Sequence, residues 1–285
     1  MSDASLPAAR PRPDARAWLR ATLPLALRKR LAVWVGRAPF AGRDWWSAEL
    51  VRDWAERDAN AYHRFLWAHH LAYARTYEPA LRFGAERIHP SRLLLFDDLR
   101  KVVDREKVSV DAVLEVGCSM GYLLRHLETE LFPGARTFDG IDIDRRALER
   151  GRRVLRAAGS RVRLARGDAA ELPALFGERR WAMVLCAGVL MYLRRDDAAA
   201  AVAAMMGRCT GVLALAGLAH RSVDNRLLTD SVRRETDRSW VHNLDAMVEA
   251  AGGRIVARRW EGAREVRGNT LYFVFALPPA AGRDG

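Results

Sequence analysis

The stretch VLEVGCSMGYLLRHL, Val113–Leu127, sets two glycines, a serine and a cysteine between an apolar run and a helical pattern. An apolar run closed by so bare a turn reads as a strand entering a helix, with backbone open to whatever lies above it. Three uses compete: a clamp for a dinucleotide, a pocket for a sulfonium cofactor, and a tight turn with no ligand. The dinucleotide pattern G-x-G-x-x-G asks for a third glycine, which Gly117, Ser119 and Met120–Tyr122 do not supply, and there is no Walker lysine. The turn is therefore not built to cradle phosphate.

Downstream, strand and helix patterns alternate. Strands are expected at 111–117, 137–143, 161–167, 181–188 and 211–219, with helices at Tyr122–Glu130, Arg145–Ala158, Ala170–Phe176 and Asp196–Met206 between them. Short, nearly continuous apolar strands separated by helices predict a parallel sheet buried on both faces. A helix from Ser239 to Ala251 follows, then strands at 254–260 and 269–277 with only a loop between them, which makes the last pair antiparallel.

Upstream, residues 15–36 form a basic amphipathic stretch, helical on either side of Pro24. Trp45–Glu78 reads as a long helix with a break near Asp58 and Asn60, and Pro90 opens another. Trp54, Tyr62, Leu66, His69 or His70, Tyr73 and Tyr77 recur at helical steps along one face; most of this stripe is expected to be core, while its aromatic and histidine content also suits the wall of a ligand pocket.

Half of the 285 residues are hydrophobic and 29% are charged, which excludes a disordered or fibrous chain. The formal charge of +12 raises the question of nucleic acid, but the basic residues are nearly all arginines spread over helix surfaces, so a solvated face is the favoured reading. Cys118, Cys186 and Cys209 show neither zinc-ligand spacing nor a disulfide framework; no metal is expected, and a reducing cytoplasm suits them. No run approaches the roughly 20 apolar residues of a membrane span, while the arginines and tryptophans of 15–36 leave peripheral membrane contact as an alternative to simple packing.

Five strands of this kind, a helix and a terminal antiparallel pair resemble the class I S-adenosylmethionine-dependent methyltransferases. The resemblance implies an α/β, Rossmann-like, seven-stranded, mostly parallel sheet with an antiparallel last strand, here with an N-terminal helical extension. The chain then divides into a tail (1–14), a helical extension that caps the acceptor pocket (15–110), an S-adenosylmethionine-binding domain (111–278) and a short tail (279–285).

The family's first motif, an acid followed by spaced glycines, stands here as Glu115-Val116-Gly117-Cys118-Ser119-Met120-Gly121, with Ser119 in place of the middle glycine. By resemblance, Glu115 lies near the cofactor's methionine end, while the backbone of Gly117, Cys118, Ser119 and Gly121 contacts its amino-acid portion and sugar. Asp142, followed by Ile143, stands at the end of the second strand, where a carboxylate accepts ribose hydroxyls; Asp144 is the natural cap of the next helix. Asp168 implies an acceptor for the adenine amino group and Ala169 a backbone donor to the ring, although a capping box with Glu171 also explains Asp168. Cys186, at the end of the fourth strand, is counted with the cofactor contacts, but nothing nearby activates it as a nucleophile. The strand ends in Cys186-Ala187-Gly188, unlike the Asn/Asp-Pro-Pro-Tyr of enzymes that methylate nucleobase amines. The acceptor implied is a small molecule or saccharide, methylated at oxygen or nitrogen, and not nucleic acid. Candidates for catalysis are His220, His242 and Tyr192; candidates for the acceptor wall are Tyr62, His70, Tyr73 and Tyr77. A cofactor-binding scaffold without turnover remains the alternative, and the oligomeric state, a homodimer included, stays open.

Overall fold

The computed structural model describes residues 15–71, 88–266 and 269–279. Seven strands form the main sheet in the order β3-β2-β1-β4-β5-β9-β8, built from β1 (Ala112–Val116), β2 (Thr137–Asp142), β3 (Val162–Arg166), β4 (Trp181–Ala187), β5 (Cys209–Gly217), β8 (Arg254–Val266) and β9 (Asn269–Leu277). The first five run parallel, and β9 enters antiparallel between β5 and β8. The expected architecture is therefore the observed one. β6 (Val232–Arg233) and β7 (Trp240–Val241) make a separate two-stranded ribbon.

Both sheet faces are covered, which is why the central strands are apolar on each side. One face packs against α6 (Pro90–Glu106) and α7 (Tyr122–His126), with Phe96, Leu99, Leu124 and Phe138 in its core. The other packs against α9 (Leu172–Phe176), α10 (Arg195–Arg208) and α11 (Leu244–Ala250), around Trp181, Val202, Met205 and Val248. α8 (Arg145–Ala157) joins β2 to β3. α6, grouped by sequence with the helical extension, thus contributes to the core of the sheet.

Among the described residues five α-helices precede α6: α1 (Ala15–Thr22), α2 (Leu25–Arg37), α3 (Arg43–Glu49), α4 (Trp54–Arg57) and α5 (Ala59–Ala68). They have a small core of their own around Ala32, Leu50, Val51, Tyr62, Leu66 and Leu71. The helix expected from Trp45 with a break near Asp58 and Asn60 is, among the described residues, three pieces. The break at Asp58 is where sequence puts it, because the Asp58 carboxylate accepts from Ala61 N at 3.1 Å and starts α5; a second turn at 50–53 was not foreseen.

Two further expectations are corrected. The segment from Ser239 is not continuous helix: Trp240 and Val241 pair with Arg233 and Val232, and Asn243 then caps α11 through Ala246 N. β8 continues to Val266, past 260, through an irregular step between Glu261 and Glu265.

Candidate functional site

In open α/β sheets the space beyond the carboxyl ends of the strands, where strand order reverses, is the natural place for a ligand. Here the reversal lies between β1 and β4, and a cleft of about 900 Å³, its mouth included, opens there. Register brings the strand ends level, since Val116 stands beside Ile141 of β2 and Cys186 of β4.

The turn after β1 forms the floor. Gly117 has φ 80°, and a Cβ there would fall 1.9 Å from Val189 Cγ2, so the position tolerates neither a side chain nor an ordinary backbone. Gly117 N and Cys118 N both donate to Ile141 O, tying the turn to β2. Ser119 adopts φ 49°, so the serine that replaces the middle glycine keeps a left-handed backbone, and its N–H donates to Asp142 Oδ2 at 2.7 Å. Asp142 Oδ1 accepts from Asp144 N at 2.8 Å, and each carboxylate oxygen keeps further accepting capacity. Burial pushes the Asp142 carboxyl up to about 6, against the pull of these backbone donors.

Glu115 is buried beside it. Burial pushes its carboxyl up to about 8 while the Arg92 guanidinium pulls the other way, and its Oε2 has no hydrogen-bond partner among the described residues. A buried carboxyl oxygen left orphaned at the wall of a cleft marks a donor still to come. Asp168 closes the floor. Its Oδ1 accepts from Ala170 N, its own N–H donates to Glu171 Oε2, and its Oδ2 lies 2.7 Å from Arg64. The capping box and the cleft-lining position are therefore both real.

The roof comes from helices. Asn60, Arg64 and Trp67, at i, i+4 and i+7 of α5, line the cleft. Arg92, in the first turn of α6, lines it too and donates to Ala187 O at 3.1 Å. The short turn Leu190–Tyr192 brings the Tyr192 ring to 5.5 Å from that of Trp67 and 4.9 Å from that of His63.

Of the residues singled out by sequence, the structure brings Glu115, Gly117, Ser119, Asp142, Ile143, Asp168, Ala169 and Tyr192 to this one cleft. The others stand elsewhere. Cys118 is buried under the turn, where the missing side chain of Gly140 leaves it room. Gly121 takes φ 79° as it starts α7. Cys186 is a core residue whose thiol burial pushes up to about 12, which rules out a thiolate. His220 does not line the cleft; its Nδ1 accepts from Ser222 N and Val223 N in its own turn. His242 is buried and kept neutral by that burial, with Nε2 2.9 Å from Leu190 O and Nδ1 2.7 Å from Ser231 Oγ. It supports the turn that carries Tyr192 and does not itself reach the cleft. Tyr62 faces the small N-terminal core. His70, buried at φ 55°, sets Nδ1 2.5 Å from Asp144 Oδ2, while Asp144 Oδ1 caps α8 as expected. Tyr73 and Tyr77 lie outside the described residues.

Sequence missed the roof for a physical reason. The most apolar stripe of α5 is the one that buries itself against the N-terminal core; the mixed stripe Asn60, Arg64, Trp67 is the one that looks into the cleft. Its signal was only the i, i+4, i+7 spacing. Arg92 was hidden by the abundance of arginine.

Comparison with known proteins agrees with this fold. Residues 113–210 match the family model described as a methyltransferase domain. No curated protein matches the chain in sequence. Among solved structures it is similar to the magnesium protoporphyrin IX methyltransferase ChlM of Synechocystis PCC 6803 with bound SAH, at 14% identity, over 78% of this chain and 100% of that one, with a TM-score of 0.54. It is also similar to a S-adenosylmethionine-dependent methyltransferase of Clostridium acetobutylicum ATCC 824, at 12% identity, over 73% and 98%, with a TM-score of 0.51. A third is the [4+2]-cyclase SpnF, at 17% identity, over 65% and 82%, with a TM-score of 0.51. At these identities the likeness establishes the fold.

Proposed function

This chain carries the methyltransferase domain of the class I S-adenosylmethionine-dependent family, and from that premise we propose that it transfers a methyl group to oxygen or nitrogen of a small-molecule or saccharide acceptor held between the sheet and α5. The single observation that carries the reading is the convergence of Glu115, Asp142 and Asp168 on one cleft, with Glu115 Oε2 orphaned in its wall.

The residues present fit the cofactor. Asp142 has the accepting capacity for a ribose diol, Asp168 and the backbone at Ala169 suit an adenine edge, and the bare Gly117 turn admits close approach. Glu115 would accept from the amino group of the methionine portion, and Arg92 beside it would meet the carboxylate. S-adenosylmethionine supplies an electrophilic methyl group on a sulfonium. What the chain supplies is position: the floor holds the donor, and the roof holds the acceptor in line and excludes water. Tyr192 and Trp67 both line the cleft and would give a bound cation aromatic neighbours.

Among the described residues, no histidine lines the cleft, and its three carboxylates belong to the floor. This supports an acceptor that arrives as a free nucleophile, such as a neutral amine, a carboxylate or an acidic hydroxyl, with Tyr192 orienting it. The test is calorimetric titration with S-adenosylmethionine, followed by transfer of labelled methyl to panels of amines, carboxylic acids and sugars. Absence of cofactor binding by the wild-type chain would overturn the reading. Binding without transfer to any panel would favour a scaffold, or chemistry other than methyl transfer.

A further inference from the structure

The surface farthest from explanation by the cleft is formed by α1, α2 and the start of α3. Nine large hydrophobic side chains are exposed among the described residues, and five of them, Trp18, Leu27, Trp34, Phe40 and Trp45, fall within residues 18–45. Trp34 is 68% exposed and Trp18 58%, so packing among the described residues leaves most of each ring open. Patches of this kind on a water-soluble fold mark a contact surface.

The charge around them has one sign. Residues 15–45 contain seven basic residues and a single acidic one, Asp44, a net +6 out of the +12 of the whole chain. Some of these cations are used internally: Arg28 is buried against Asp53, Arg20 meets Glu49, and Lys29 lies over the Trp54 ring. Others face outward. On α2, Leu27, Arg30, Trp34 and Arg37 follow at three- and four-residue steps and all four are exposed, so apolar and cationic groups alternate along the outer stripe while Ala32 and Gly36 hold the inner one.

Indole rings seated among arginines are suited to the headgroup level of a bilayer, where the ring is half immersed and the guanidinium meets lipid phosphate. We propose that residues 18–45 are a docking surface for an anionic lipid bilayer, on which the chain lies without crossing. Among the described residues no helix is long and apolar enough to span a membrane. Charge favours this occupant over a second copy of the chain, whose matching face would set the outward arginines Arg30 and Arg37 against their own like.

The experiment is sedimentation of the full chain with sucrose-loaded vesicles of phosphatidylcholine alone and of phosphatidylcholine with about one third phosphatidylglycerol. The expected result is binding at least tenfold tighter to the anionic vesicles, weakened by salt. Trp18→Ser, Trp34→Ser and Phe40→Ser together, all at exposed positions, are expected to lower that binding at least tenfold with an unchanged Tm. Arg30→Glu with Arg37→Glu is expected to remove the preference for anionic lipid. Equal partition into both vesicle types, or wild-type binding by the triple variant, overturns the proposal. So does a dimer in sedimentation velocity, or binding of single-stranded oligonucleotide, that the triple variant loses while no vesicle binding is found. Vesicle binding is read without cofactor or acceptor, so its outcome is separate from that of the methyl-transfer assays.

Discussion

The floor and the roof of the cleft meet the same space with different means. Glu115, Gly117 and Asp142 stand at the ends of β1 and β2, whose ladder bonds are shared with neighbours on both sides. α5 reaches in with Asn60, Arg64 and Trp67, and these polar ties from it and its cap lie at the rim: Asn60 to Asp197 of α10 at 2.7 Å, Asp58 to Arg194 before α10 at 3.1 Å, Arg64 to Asp168 after β3 at 2.7 Å. Rim pairs of this sort contribute little each, so the roof is the part that opens at low cost, while the floor moves only when the sheet does. A site that must admit a cofactor and then exclude water needs both behaviours.

The comparison breaks first if the floor tolerates change. Asp142→Ala removes the acceptor for two backbone donors, Ser119 N and Asp144 N, along with the proposed ribose contact. With charge-assisted bonds contributing about 1.5–3 kcal/mol each, cofactor affinity is expected to fall by roughly a hundredfold or more in calorimetry. Gly117→Val puts a Cβ on Val189 at a left-handed φ and is expected to abolish cofactor binding. Wild-type affinity in either variant removes the floor from the mechanism.

Much of the floor was legible because turns and strand ends are local. Glu115, Gly117 and Asp142 are announced by a strand pattern followed by residues that only a special backbone needs, and Ser119 could be placed even though its left-handed φ could not. The roof depends on which face of α5 finds which partner across a hundred residues of chain, and periodicity cannot tell a stripe that buries itself from one that faces a ligand. His70 shows the limit: its spacing suits a pocket wall, and the structure gives it Asp144, the carboxylate that caps α8, as its partner. His220 and His242 stand near strand ends as a base should, yet His220 is occupied by its own turn and His242 by Leu190 O and Ser231 Oγ.

The next effect concerns that buried tie. His70→Ala leaves Asp144 without one partner in a site where both side chains are almost fully buried, at 5% and 2% exposure. Removing one member of such a pair costs about 3 kcal/mol, so chemical denaturation is expected to show a loss of that size. Hydrogen exchange should then speed up in α5 more than in β1 and β2. Equal acceleration in both would mean that floor and roof unfold as one unit.

A smaller effect follows from protonation of the floor. Burial raises Glu115 from 4.5 to about 8 and Asp142 from 3.8 to about 6. Between about pH 4.5 and 8 the folded chain therefore keeps protons that the unfolded chain has released, and stability falls as pH rises through that window. The cofactor-free protein is expected to melt a few degrees lower at pH 8.5 than at pH 5.5. Cations placed beside Glu115 favour its ionised form, so cofactor binding at pH 7 should release up to roughly one proton, read from the dependence of binding enthalpy on buffer ionisation. Glu115→Gln should remove most of that release, and if it does not, the proton comes from elsewhere.

The smallest expected effect separates the walls most sharply. Arg64 is 56% exposed, and its pair with Asp168 closes the cleft from the side of α5. Asp168 already accepts from Ala170 N, and a carboxylate has room for one more donor beside Arg64, so cofactor and roof need not compete for it. Arg64→Ala is therefore expected to change cofactor affinity by less than about threefold, in keeping with the worth of an exposed ion pair. It should raise KM for whichever acceptor is found by a larger factor, because the roof then closes less often over the bound acceptor. Asp168→Ala, by contrast, is expected to weaken cofactor binding by about tenfold, since it takes away the proposed adenine contact together with the cap of the turn that presents Ala169. If Arg64→Ala weakened the cofactor as much as Asp168→Ala did, Arg64 would belong to the floor, and the division between a donor wall and an acceptor wall would have to be redrawn along α5.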